Sequence, residues 1–279
     1  MTSMQARERT TRVTAWLATL FYFAFIGLVL LLVVVLWLPD ETVLSIIDDL
    51  DPEALDHRVH EFAISVLGWG LLIGVAAQIH EPARKVAAMQ QALAIPLVVL
   101  VFDLITGIFR WADTLPLLVP VLIVSAVHCA RGSLTRVSGL NASMSVLASV
   151  SAVPWLVFAV SQTRLQITAA AGDAHAEMGH WAWMASFAVV LVVWAFIGAS
   201  NNPGWRVTAW TVAVASFLYA SHAMAFPDMA SATPVSWSLA IIVWSVLYLV
   251  AAERRARRPE PAPAPAYGGG SVGQTGSDT

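Results

Sequence analysis

Eight stretches of this chain are long and apolar enough to cross a bilayer as helices, and short polar segments separate them: residues 13–38, 60–78, 86–108, 115–129, 140–160, 181–200, 207–226 and 235–252. A hydrocarbon core about 30 Å thick needs about 20 apolar residues per helix. The first stretch carries no charge, whereas the fourth is short and holds Pro116 and Pro120, which makes its limits the hardest to place. The pattern predicts an all-α, polytopic membrane protein with eight transmembrane helices.

Basic residues set the orientation, because positively charged flanks stay cytoplasmic. Arg7, Arg9 and Arg12 precede the first span, Arg84 and Lys85 follow the second, Arg131 and Arg136 the fourth, Arg206 the sixth, and Arg254, Arg255, Arg257 and Arg258 the eighth. The alternate gaps are acidic, holding Asp40, Glu41, Asp48, Asp49, Asp51, Glu53 and Asp56, then Asp113, Asp173, Glu177 and Asp228, with only Arg58, Arg110 and Arg164 as basic residues. Both termini are therefore expected in the cytoplasm. The first apolar run ends in Pro39-Asp40 without a small-residue cleavage pattern, so it reads as a retained helix rather than a signal peptide. Residues 259–279, rich in Pro, Ala, Gly and Ser, read as a disordered cytoplasmic tail.

Composition agrees with a membrane solvent: 58% of the 279 residues are hydrophobic and 12% charged, against roughly a quarter charged in soluble domains. The single cysteine, Cys129, excludes an intramolecular disulfide and any multi-cysteine metal site. Arginine outnumbers lysine, of which Lys85 is the only copy, and alanine is abundant, a bias expected of a GC-rich bacterial genome and hence of a bacterial plasma membrane. Most tryptophans, such as Trp37, Trp111, Trp181 and Trp205, mark span ends as interfacial anchors.

The second and sixth spans are introduced by His60 and His180, offset by 120 residues, and their basic ends read Pro82-Ala83-Arg84-Lys85-Val86 and Pro203-Gly204-Trp205-Arg206-Val207. This periodicity predicts two tandem four-helix units of the same orientation, residues 13–138 and 139–252, between a cytoplasmic N-terminus at 1–12 and a tail at 253–279.

Ionisable groups within a bilayer are costly and usually face a bundle interior. Asp103 lies in the third span, His222 in the seventh, and His60, Glu61 and His180 open the second and sixth, all at similar depth near the outer face. Asp51-Pro52-Glu53 reads as a helix start, so the second helix is expected to begin outside the membrane with His57 and Glu61, four apart, on one face. Asp173, His175, Glu177 and His180 add four candidate ligands within eight residues. Imidazole and carboxylate together suit zinc, iron or copper. The expected metal ligands are thus His57, His60, Glu61, Asp173, His175, Glu177, His180 and His222. His180, His222, His60 and Asp103 are the candidates for holding a haem, paired as His60 with Asp103 and His180 with His222. Against any site stands the ordinary behaviour of polar groups at a membrane boundary, which snorkel to water, and Asp103 has Arg110 as a nearby partner.

No lysine lies in a span, which removes a retinal Schiff base, and there is no Walker A loop, Gly-x-Ser-x-Gly elbow or Cys-x-x-Cys-His motif. The eight-helix layout with two four-helix repeats and outward histidines resembles haem A synthase in topology, which would imply haem bound by such histidines. That family places them on even-numbered helices, whereas His222 is on the seventh. Three readings follow: a haem- or metal-binding protein for redox chemistry or cofactor handling, a proton-coupled small-molecule transporter using Asp103 and His222, and a non-catalytic accessory or scaffold subunit packing through Ser145, Ala148 and Ser149. The bilayer is the expected partner, with other membrane proteins or further copies of the chain as candidates and no nucleic acid.

Overall fold

The computed structural model describes residues 3–36 and 57–257, and among them every regular element is helical. Seen in chain order, α1 is Ser3–Leu36, α2 Arg58–Ala76, α3 Val86–Thr106, α4 Trp111–Val127, α5 Ala142–Thr168, α6 Ala174–Glu177, α7 His180–Ala199, α8 Trp205–Ala225 and α9 Val235–Ala256. Among the described residues, six helices are long and apolar enough to cross a membrane: α2 with the short 3-10 turn after it, α3, α5, α7, α8 and α9. The expected fourth span, α4, is only 17 residues and carries both prolines, so at 1.5 Å per residue it reaches about 25 Å. The far end of the first expected span, the acidic segment containing Asp51-Pro52-Glu53 and Asp56, and the tail at 259–279 lie outside the described residues.

Local chemistry places the helix ends. Gly107, at φ 71°, closes α3 in the left-handed conformation that glycine adopts without penalty. Asn141 caps α5 by accepting from the Met144 amide, and Asp173 caps α6 by accepting from Ala176. Gly179, at φ 69°, turns the chain from α6 directly into α7, fixing where His180 points.

The helices pack in a pattern that repeats. α1 touches α2, α2 touches α3, α3 touches α4 and α4 returns to α1; likewise α5 touches α7, α7 touches α8, α8 touches α9 and α9 returns to α5. Between these rings, α2 packs on α7 and α8, and α3 packs on α7 and α8. Consequently α2, α3, α7 and α8 form the buried centre, while α5 and α9 turn faces such as Val150, Val153 and Val160 outward, surface that suits a bilayer.

Polar side chains buried at the centre are spent on tying rings together. Gln91 of α3 donates to the Gly70 carbonyl of α2 at 2.6 Å, and the Trp194 indole of α7 donates to the Gln91 carbonyl at 3.0 Å. Trp194 lies against Gly70 so closely that a Cβ there would overlap its ring. Gly70→Ala is expected to destabilise the fold by about 1–3 kcal/mol through overpacking, measured as a lower thermal midpoint in detergent; an unchanged midpoint would show that Trp194 can move aside. At the basic end, Asn202 donates to Gln90 Oε1 and the Arg136 carbonyl, and Arg255 lies 3.8 Å over the Trp205 ring while donating to Ser200 and Asn201. His80 and His128 also lie at this end, and the opposite end carries the other five histidines.

Candidate metal centre

Four imidazoles from three elements meet where α2 and α7 begin. His57 and His60 come from the start of α2, His175 from α6 and His180 from the first residue of α7. All six ring-to-ring separations lie between 4.3 and 6.2 Å. Ligand nitrogens of His57, His60 and His180 lie within 4.8 Å of one another, and the Nδ1 atoms of His57 and His180 are 2.8 Å apart. Tetrahedral bonds of about 2.0–2.1 Å put neighbouring nitrogens about 3.3 Å apart, a spacing close to that of these three side chains, while His175 neighbours them by its ring without belonging to the group whose nitrogens converge.

The hydrogen bonds around the cluster decide which nitrogens face inward. Ser231 spends its one hydroxyl proton on Gln162 Oε1 at 2.7 Å, so at 2.8 Å from His60 Nε2 it accepts, and the proton belongs to Nε2. That leaves the lone pair of His60 on Nδ1, which is buried without a hydrogen-bond partner. His175 differs: its Nδ1 lies 4.0 Å from Asp173, beyond hydrogen-bond reach, and its Nε2 is buried without a hydrogen-bond partner among the described residues. His180 turns Nε2 toward Glu61 Oε1 at 3.5 Å and Nδ1 toward His57. A buried nitrogen lone pair without a donor is costly, whereas an imidazole whose other nitrogen is held by a carboxylate or hydroxyl is the usual form of a metal ligand. For His57 to join the ring through Nδ1 requires a change of tautomer, not of charge.

The fit is to an ion rather than to a haem. Bis-histidine haem needs two imidazoles on opposite sides of an open plane, and here His57 and His175 fill the space beside His60 and His180. Three converging imidazoles suit zinc, copper or ferrous iron, and the carboxyl groups of Glu61 and Asp173 lie at the rim.

The other residues singled out in the sequence lie elsewhere. Glu177 is exposed at the end of α6. His222 stacks on Phe62 at 4.1 Å and contacts Phe226 at 4.8 Å. Phe62 is two residues from His60 and so on the opposite side of α2, about 200° around the helix, which is why His222 packs beside α2 without pairing with His180. Asp103 does not pair with His60 either: its carboxylate meets Arg110 at 2.5 Å and Thr114 at 3.2 Å. Arg110 also donates to the Gly179 carbonyl at 2.7 Å and lies over Trp183, so this pair holds the turn that aims His180. Ser231, Gln162 and Tyr219, which donates to the Ser231 carbonyl at 2.7 Å, were not legible as site residues; Ser231, at φ 63°, is an unusual conformation that sequence does not announce.

Compared with protein-family models, curated proteins and solved structures, the chain matches none. The functional reading accordingly rests on the geometry.

Proposed function

We propose that this chain is an eight-span protein of the bacterial plasma membrane, with both termini cytoplasmic, that holds one transition-metal ion through His57, His60, His175 and His180 near the outer face and uses it in redox or metal-handling chemistry. The observation that carries the reading is the pair of buried nitrogens, His60 Nδ1 and His175 Nε2, that have no hydrogen-bond partner among the described residues, in a cluster whose outward nitrogens face Ser231, Asp173 and Glu61. Interfacial histidines that merely snorkel would face water with both nitrogens. The two rings of helix contacts support a tandem duplication, residues 13–138 and 139–252, in which each unit contributes two histidines to a site on the axis between them. The alternation of basic and acidic gaps supports the orientation.

The metal reading is preferred to proton-coupled transport because Asp103 is committed to Arg110 and Thr114, and to a pure scaffold because of the histidine cluster itself; of the small residues proposed for partner packing, Ala148 is buried within this chain and Ser149 is exposed. Elemental analysis and Co(II) titration of the purified protein test it. A single ion per chain, with the visible absorption of tetrahedral Co(II) and an affinity that weakens in acid as protons compete with the ion for the imidazole nitrogens, is the expected result. Protein that takes up no metal from Zn(II), Cu(II), Fe(II) or Co(II) would refute it.

A further inference from the structure

One face of α2 continues from the histidine cluster into the protein interior. His57, His60, Glu61, Ile64 and Gly68 follow the spacing of a single helical stripe, and beneath the histidines this stripe forms one wall of a cavity of about 240 Å³. The remaining walls come from α1, α3, α4 and α7, through residues such as Ile95, Leu117 and Trp183. From Glu61 to Leu71 the cavity follows ten residues of α2, about 15 Å. Among the described residues its lining is apolar except at the top, where Glu61 and His180 face each other at 3.5 Å.

We propose that this cavity binds a hydroquinone-type molecule, a neutral ring whose hydroxyl bridges Glu61 and His180 from the cavity side. This deepens the metal reading, since it places a ligand against the outward nitrogen of a metal-bearing imidazole. The chemistry of the polar end selects the class. Glu61 offers an acceptor and His180 Nε2–H a donor, and a hydroxyl satisfies both at once. A fatty acid would bring its carboxylate against Glu61, and a cationic head would meet the metal ion; a neutral hydroxyl meets neither objection. Size selects it further, because the volume lies just below the roughly 300 Å³ at which drug-sized pockets begin, room for one substituted ring and not for a lipid. The apolar walls then contribute the affinity by removing that ring from water.

The experiment is anaerobic calorimetric titration of the full chain in detergent with duroquinol, alongside metal analysis of the same samples. Saturable binding of one duroquinol per chain is expected, weakened at least about tenfold, a loss of 1.4 kcal/mol, for its dimethyl ether, which cannot donate to Glu61. Ile64→Trp and Leu117→Trp fill the cavity from two different helices without touching a histidine, and each is expected to abolish duroquinol binding while metal content stays as in the wild type. No saturable binding by metal-loaded wild type would overturn the proposal and leave the metal site standing. Equal binding of quinol and ether by the wild type would also overturn it, even if both variants fail to fold. Duroquinol binding by protein that takes up no metal would support the cavity assignment and remove the metal reading alone.

Discussion

His60→Ala and His180→Ala are each expected to weaken Zn(II) and Co(II) binding by at least about 100-fold, beyond the 10–100-fold that loss of a group hydrogen-bonded to a ligand usually costs. Both side chains sit inside the cluster, His60 with its Nδ1 unpartnered and His180 with its Nδ1 2.8 Å from that of His57. His222→Ala is the matched control. It removes a buried histidine from a neighbouring helix at similar depth, but one packed between Phe62 and Phe226 on the far side of α2. The variant is expected to lose stability through the cavity it leaves and to keep its metal. Equilibrium dialysis against a chromophoric chelator measures all three. Loss of metal in the His222 variant, or its retention in the other two, would move the site off the α2–α7 axis.

That contrast marks how far the sequence reaches. Long charge-free runs and flanking basic residues make the helices legible, because a membrane helix has to satisfy its backbone internally and leaves few alternatives. They also give depth: His60, His180, Asp103 and His222 can be placed near one face from their distance to the span ends. Direction around the helix is another matter. In a helix that is apolar all round, no polar stripe marks the face that meets its neighbours, so nothing in α8 tells whether His222 looks toward α7 or toward Phe62. The local cluster Asp173 to His180 was visible as closely spaced ligands, yet its division into a cap (Asp173), an exposed end (Glu177) and two inward imidazoles follows from the left-handed turn at Gly179. Ser231 and Gln162 lie 171 and 102 residues from His60 in sequence and join it only through packing of the α8–α9 turn and α5. The proposed repeat is a middle case: its match at an offset of 120 residues is short and faint in the sequence, and the helix contacts are compatible with it without testing it.

Asp103→Ala is expected to cost about 3–5 kcal/mol, the usual penalty for leaving one member of a buried ion pair alone. Arg110 has 8% of its side chain exposed and Asp103 3%, so water cannot replace the missing carboxylate. The effect should reach the metal as well. Arg110 lies between Asp103 and the Gly179 carbonyl, and Gly179 precedes His180; once the guanidinium is released from Asp103, the turn that aims His180 loses its anchor. Metal affinity is therefore expected to fall about 10–100-fold, in the range of a lost positioning partner. The double substitution Asp103→Ala with Arg110→Met separates these two effects. Replacing a buried ion pair with apolar groups is often neutral for stability, so the thermal midpoint should recover most of the way toward the wild type. Metal affinity should not recover, because methionine cannot donate to the Gly179 carbonyl. If stability and affinity return together, Asp103 and Arg110 act on the site only through the general integrity of the bundle, and the link from α3 through Arg110 to His180 is broken.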